Sequence, residues 1–264
     1  MDVILDSNKT LDQNAAEYFE RAKKAKKKIE GIKKAMVMFE REKEEILLKK
    51  EKAVTEYEIR EQEKKKPKRE KQWYEKFRWF YSSEGLLCIG GRDATTNDIL
   101  VKKHMAPGDV VFHTEMPGSP FFIVKAEGKK IGEETLNETA QATAIFSRAW
   151  KMGIGSARVY WILPEQVSKE ANTGEYLGKG SFMINGKRNI SEPKMEMAIG
   201  LNKENIMMAG PVNAIIKNCS KHVLLIQGQT KKTDIAKQVK KIIGGELDDI
   251  VSVLPAGEFE IKKR

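Results

Sequence analysis

The chain has 264 residues, 33% charged and 40% hydrophobic, with a formal net charge of +10 and a pI near 9.3. This supports one sizeable core plus an accessory element and excludes disorder throughout, while no apolar run approaches the roughly 20 residues of a membrane helix and no signal-peptide core opens the chain. Its two cysteines, Cys88 and Cys219, are far apart and lack CxxC spacing, so reduced thiols in a soluble, intracellular, cytoplasmic protein are expected, with Cys88 buried in the run Leu86–Ile89.

From Leu11, apolar or small residues fall at Leu11, Ala15, Tyr18, Ala22, Ala25, Ile29, Ile32, Met36 and Phe39, in alternating steps of four and three. That is a heptad seam, and it predicts a long coiled-coil helix with Asp12 or Asn14 as its cap. Gly31 weakens such a helix by about 1 kcal/mol without ending it. Beyond Phe39, Lys43 and Lys50 interrupt the seam while Ile46, Ala53 and Tyr57 keep it. A turn near Arg41–Glu45 would make a helical hairpin, and its absence one continuous helix; both stay open. A lone helix cannot bury its own seam, so pairing within the chain or self-association with a second copy is expected. Pro67 then ends the helical pattern, dividing a coiled-coil arm (1–70) from a globular domain (71–264). Basic residues exceed acidic ones in both parts, 20 to 16 and 28 to 22.

The boundary carries a basic tract, Lys64, Lys65, Lys66, Lys68, Arg69 and Lys71, followed by six of the chain's 20 aromatic residues between Trp73 and Tyr81. Interleaved rings and cations suit a surface that stacks on bases while neutralising phosphates. The same rings also start a core, in which case Lys76 and Arg78 alternate with buried neighbours and face out. Short apolar runs then predict strands at Trp79–Tyr81, Leu86–Gly90, Val110–His113, Phe121–Val124, Val159–Ile162, Phe182–Asn185 and Val223–Gln227. Helices are predicted at Asn97–Met105, Leu136–Trp150 and Lys232–Ile243, with Trp150 in the core. This order reads as α+β: a mixed or antiparallel sheet with flanking helices, preceded by the amino-terminal coiled-coil helix or helical hairpin.

For chemistry, His113 and Glu115 lie two apart on a predicted strand, and Asp93 or Asp109 could join them around a metal, but no HExxH, HxH or Cys-His spacing supports this. Ser181 in GKGSFM is not a GxSxG elbow, and Gly178, Gly180 and Gly186 do not form a phosphate loop. No catalytic residue, metal or cofactor is therefore assigned. What remains is a recognition surface. Arg92, after Gly90-Gly91, can present its fork to a phosphate or base, with Asp93 orienting it. Asn97, Lys102 and Lys103 follow on the predicted helix, with Asp98 as its first-turn acid. Lys169 and Thr173 lie in a polar loop, and Lys187 and Arg188 follow a strand at a turn. With Lys76 and Arg78 these are the RNA-binding candidates.

WYEKFRWF, then SSEGLLCIGGRDATTNDILVKK, DVVFHTEMPGSPFFIVK and QVSKEANTGEYLGKGSFMINGKRN, continuing through TDIAKQV to VLPAG, resemble the carboxy-terminal RNA-binding domain of the NFACT proteins over roughly residues 71–257. LDSNKTLDQNAAEYFERAKKAKKKIEGIKKA resembles the entry to the coiled-coil middle region of that family, whose members include eukaryotic NEMF and bacterial RqcH, and the whole looks archaeal in type. The resemblance implies a ribosome-associated quality-control role. Its members engage the large ribosomal subunit carrying peptidyl-tRNA, so ribosomal RNA and tRNA are the implied partners, and they support untemplated, chiefly alanine, tailing of stalled chains. It implies a binding module, with peptide-bond chemistry left to the ribosome. The family's amino-terminal domain and helix-hairpin-helix region have no counterpart in these 264 residues, which puts tailing by this piece alone in doubt. Alternatives are a metal-dependent nucleic-acid-processing enzyme using Asp93, His113 and Glu115, and a coiled-coil interaction scaffold, including the fibronectin-binding role attached to some bacterial members.

Because the apolar runs concentrate beyond Pro67, residues 71–264 are expected to melt cooperatively without residues 1–70, whereas isolated 1–70 should lose helicity unless it pairs. Circular dichroism of the two pieces checks this.

Overall fold

The computed structural model describes residues 3–65, 70–168, 178 and 180–262. The chain divides into two compact units, Met1–Glu70 and Lys71–Arg264.

The first unit is one continuous helix, α1 (Leu11–Lys65), with no turn at Arg41–Glu45 and no break at Gly31. Its start differs from expectation. Thr10 Oγ1 accepts from the Gln13 amide at 3.3 Å, and Gln13 Oε1 accepts from the Thr10 amide at 2.9 Å, a reciprocal capping box. Asn14 instead clips the preceding loop: its Oδ1 accepts from the Asp6 amide, and its Nδ2 donates to the Asp6 and Lys9 carbonyls. Tyr18 Oη donates to the Ile4 carbonyl at 2.7 Å. Farther along, the seam residues Ile29, Ile32, Met36 and Phe39 are exposed, Phe39 at 69%.

The second unit is α+β, and all its strand pairs are antiparallel. In chain order its strands are β1 (Arg78–Tyr81), β2 (Leu87–Gly90), β3 (Val110–Thr114), β4 (Phe122–Val124), β5 (Val159–Ile162), β6 (Val167–Ser168), β7 (Met183–Ile184), β8 (Asn189–Ser191), β9 (Glu196–Asn202), β10 (Met207–Gly210), β11 (Cys219–Lys231) and β12 (Glu258–Ile261). Its helices are α2 (Ala94–Ile99), α3 (Glu133–Ile145), α4 (Arg148–Lys151), α5 (Val212–Asn218), α6 (Lys232–Ile243) and α7 (Leu247–Val253). One sheet runs β1-β2-β4-β3-β5-β8, a second β10-β9-β11-β12, and β6 and β7 form a small hairpin. Helix α3 packs on β3, β4 and β5 of the first sheet and on β9 and β10 of the second. Its start is capped from the β1–β2 turn, where Glu84 accepts from the Thr135 amide at 3.0 Å and occupies the space a side chain at Gly132 would fill.

Two of the three helix expectations for this unit shift. Asp93, not Asn97, begins α2: it accepts from the Thr96 amide at 2.8 Å, so Asp98 lies inside the helix and pairs with Lys102 at 2.8 Å. Leu100–His104 then form a π-helical turn. The helix expected to reach Trp150 stops at Ile145, because Ser147 accepts from the Ala149 amide and starts α4. Strand β7 is shorter than the expected Phe182–Asn185, and β11 is far longer than Val223–Gln227. Cys88 is buried as expected, which pushes its thiol pKa up to about 12.

Trp150 lies 5.6 Å from the Phe259 ring and is 1% exposed, under Gly257. Trp150→Ala should therefore lower stability by about 3–5 kcal/mol, read as an earlier midpoint in denaturant unfolding.

Candidate nucleic-acid interface

Two glycines set the geometry. A Cβ on Gly90 would stand 2.5 Å from the Phe122 ring, and one on Gly91 1.8 Å from Asn97 Oδ1. With neither present, Asn97 slides under the turn and its Oδ1 accepts from the Phe121 amide at 3.1 Å. The next residue, Arg92, points back toward the chain. Its Nε donates to the Lys76 carbonyl (3.2 Å), Nη2 to Phe77 (3.0 Å) and Nη1 to Ser252 (2.8 Å). Arg78 does not face out as expected. Its guanidinium lies 4.3 Å from the centre of the Phe146 ring, Nη1 is sealed from solvent without a hydrogen-bond partner among the described residues, and burial together with the charge of Arg92 pushes its pKa down to about 9. Lys232 donates to the Leu254 carbonyl at 2.9 Å, and burial, then Arg78 and Arg92, lower its pKa. Three cations thus share one region, and the bonds of Arg92 and Lys232 there go to carbonyls.

Beside this region lies a cleft of about 460 Å³, walled by the Gly91–Asn97 turn, the Pro117–Phe121 loop, Gly180–Phe182, His113, Tyr160 and Phe146. The His113 ring lies 4.4 Å from the Phe121 ring, and its Nδ1 donates to the Thr114 carbonyl at 2.7 Å. Burial holds its pKa below the ordinary value, against the raising effect of the Thr114 and Ser119 carbonyls, so the imidazole is neutral near pH 7. Tyr160 is raised to about 12, chiefly by burial, and Arg188 lies 4.8 Å from the centre of its ring. The Arg148 guanidinium comes within 3.1 Å of where a Cβ on Gly118, a residue of the cleft lining, would stand.

Of the sequence candidates, Arg92, Asp93 and Asn97 meet in the cleft wall, and Arg188 reaches it through Tyr160. Asp93 caps α2. Lys76 is exposed, with Nζ 5.0 Å from the centre of the Phe77 ring. Lys102 pairs with Asp98, Lys103 is exposed, and exposed Lys187 lends its carbonyl to Gln166 Nε2 at 2.9 Å. Lys169 and Thr173 lie outside the described residues. The residues of the metal alternative have separate jobs. His113 bonds Thr114, Glu115 pairs with Arg158 at 3.0 Å, and Asp109 is buried against Lys125 and the Ala106 and Ala126 amides. Sequence reasoning did not single out Arg148, Tyr160 or Phe146, whose only signal was a place inside predicted strands or helices. Phe121 and Phe182 were read only as strand residues.

This unit is an antiparallel α+β domain with a ring-lined cleft, and its residues 76–186 match the family described as the NFACT protein RNA binding domain. The chain is an NFACT/NEMF/RqcH-like protein. It is 40% identical over 210 residues to the "Archaeal Rqc2 homolog aRqcH" of Methanocaldococcus jannaschii, covering 77% of this chain and 31% of that protein. It is 37% identical to the human "Ribosome quality control complex subunit NEMF", covering 70% of this chain and 17% of that protein. The chain therefore spans less than a third of these relatives. Among solved structures, the C-terminal of the fibronectin/fibrinogen-binding protein from Streptococcus suis is similar at TM-score 0.39 and 21% identity, over 49% of this chain and 48% of that one.

Arg92→Lys keeps the charge but cannot hold three carbonyls, so it should lower stability by about 1–2 kcal/mol at this half-exposed site. RNA binding should fall only in proportion to the unfolded fraction. Melting and RNA titration of the same variant check both; normal melting with weakened binding would assign Arg92 to RNA contact.

Proposed function

We propose that this chain is the RNA- and ribosome-binding part of a ribosome-associated quality-control factor. The observation that carries this is the coincidence, within residues 76–186, of the RNA-binding-domain match with a cleft lined by aromatic rings and Arg92. The names of its relatives supply the ribosomal setting. In this reading the chain works in the cytoplasm as a binding module. It engages ribosomal RNA and tRNA on the large subunit carrying peptidyl-tRNA and supports untemplated, alanine-type tailing, with peptide-bond formation done by the ribosome. Helix α1 serves as an arm whose exposed seam pairs with another helix or a second copy. Lys76, Lys102, Lys103, Lys187 and Arg188 are exposed cations suited to phosphate contact.

Binding through distributed phosphate contacts releases counterions, so affinity for large ribosomal subunits should drop steeply with salt. Replacing Lys102 and Lys103 together by Ala should weaken binding to many RNAs alike and reduce the salt slope by about 1 to 2, with an unchanged melting temperature. Subunit pelleting across a salt series checks this; salt-independent association would overturn the reading.

A further inference from the structure

We propose that the cleft between the Gly91–Asn97 turn, the Pro117–Phe121 loop and Gly180–Phe182 takes a single unpaired nucleotide, its base among the rings and its phosphate at Arg148 and Arg188. The inference rests on the RNA-binding reading and adds to it a defined pocket with a preference for unpaired ends or loops.

Three features select a nucleotide. The first is size and lining. At about 460 Å³ the cleft falls in the range of small-ligand sites. Its rings, His113, Phe121, Phe146, Tyr160 and Phe182, offer the flat apolar contact by which proteins hold a base splayed out of its stack. The second is charge. Arg148 and Arg188 are exposed and form no ion pair or hydrogen bond among the described residues, and although neither lines the cleft itself, one lies over Gly118 and the other on Tyr160, both of which do. Of the nearby carboxylates, Glu115 is taken by Arg158, and Asp93, in the cleft wall, accepts from the Thr96 amide. Arg92 stands in the cleft wall bonded to carbonyls, with the Asp93 carboxylate beside it offsetting part of its charge. An anion is the natural partner for this arrangement, and a phosphate matches the guanidinium fork.

The third feature is a polar edge. Asn97 spends its Oδ1 on the Phe121 amide, while its Nδ2 has no partner among the described residues. The Ser181 hydroxyl, also unpartnered there, lines the same space. Together they supply donors and an acceptor for the edge of a base. Backbone packing holds the walls in place: a Cβ on Gly180 would meet the Ala94 carbonyl at 2.6 Å, so this segment sits directly on the start of α2.

The test uses the full chain and two RNA hairpins of identical stem, one blunt and one with a three-nucleotide unpaired tail, followed by fluorescence anisotropy. The tailed hairpin should bind about tenfold more tightly or better. Ser181→Trp, which fills the cleft without touching a cation, and Arg148→Ala with Arg188→Ala should each bring it to the blunt value at unchanged melting temperature. Millimolar AMP that erases the tail's advantage would identify the site as one for any nucleotide, and an advantage indifferent to AMP would restrict it to nucleotides within an RNA chain. Equal binding of the two hairpins, or a tail preference that survives both variants, overturns the proposal while leaving the RNA-binding reading intact. Failure of both hairpins to bind removes both.

Discussion

Three carbonyl groups from two distant parts of the chain converge on the guanidinium of Arg92. Lys76 and Phe77 lie just before β1, whereas Ser252 lies in the last turn of α7, 160 residues away in sequence. This cation ties the entry of the first sheet to a helix that packs on the second. A carbonyl carries only a partial charge, so the guanidinium is held firmly but not neutralised. Arg78 sits on the Phe146 ring and Lys232 donates to the Leu254 carbonyl; the charge of Arg92 lowers the pKa of both, and that of Arg78 adds to the lowering at Lys232. The fold thereby keeps a positive field behind the cleft.

The cleft wall depends on that clamp and on close approach at Gly90 and Gly91. Phe122 and Asn97 occupy the space their side chains would take, so the turn is packed against β4. Asp93 then starts α2, the π-helical turn follows, and His104 at its end stacks on Trp73 at 4.5 Å with the rings 12° apart. Buried Asp109, bonded to Lys125, fixes the far side of the turn. A ligand entering such a site meets groups already in position, which reduces the entropy lost on binding.

Helix α1 obeys a different constraint. At 55 residues it is about 80 Å long, and its apolar seam is exposed over most of that length. Thr10, Gln13 and Asn14 secure its first turn, but local bonds cannot cover the seam. Only another helix can, which is why an isolated arm of this kind is unstable and a paired one is not.

The sequence alone determined the elements whose stability is local. The heptad steps from Leu11 to Phe39 define a helix because residues three and four apart share one face, and the pattern at Lys232–Ile243 gave α6 its observed limits. Alternating and continuous apolar runs mark β1 to β5, and the α+β class follows from their short spacing, whereas the choice of antiparallel over mixed pairing is made by the tertiary structure. The apolar pattern does not mark β6, β8, β9, β10 or β12. Segments such as Glu196–Asn202 and Glu258–Ile261 become strands through pairing with β11, a partner distant in sequence. The roles of the cations were likewise a tertiary matter. Arg78 follows the same alternation as Lys76, yet one is half-buried on Phe146 and the other exposed, because α3 ends where Ser147 begins a new cap and leaves Phe146 beneath the first of them. Arg148 comes beside the cleft at Gly118, 30 positions earlier in the chain. Periodicity reports which face a residue takes; which groups meet across that face is decided only when the sheets close.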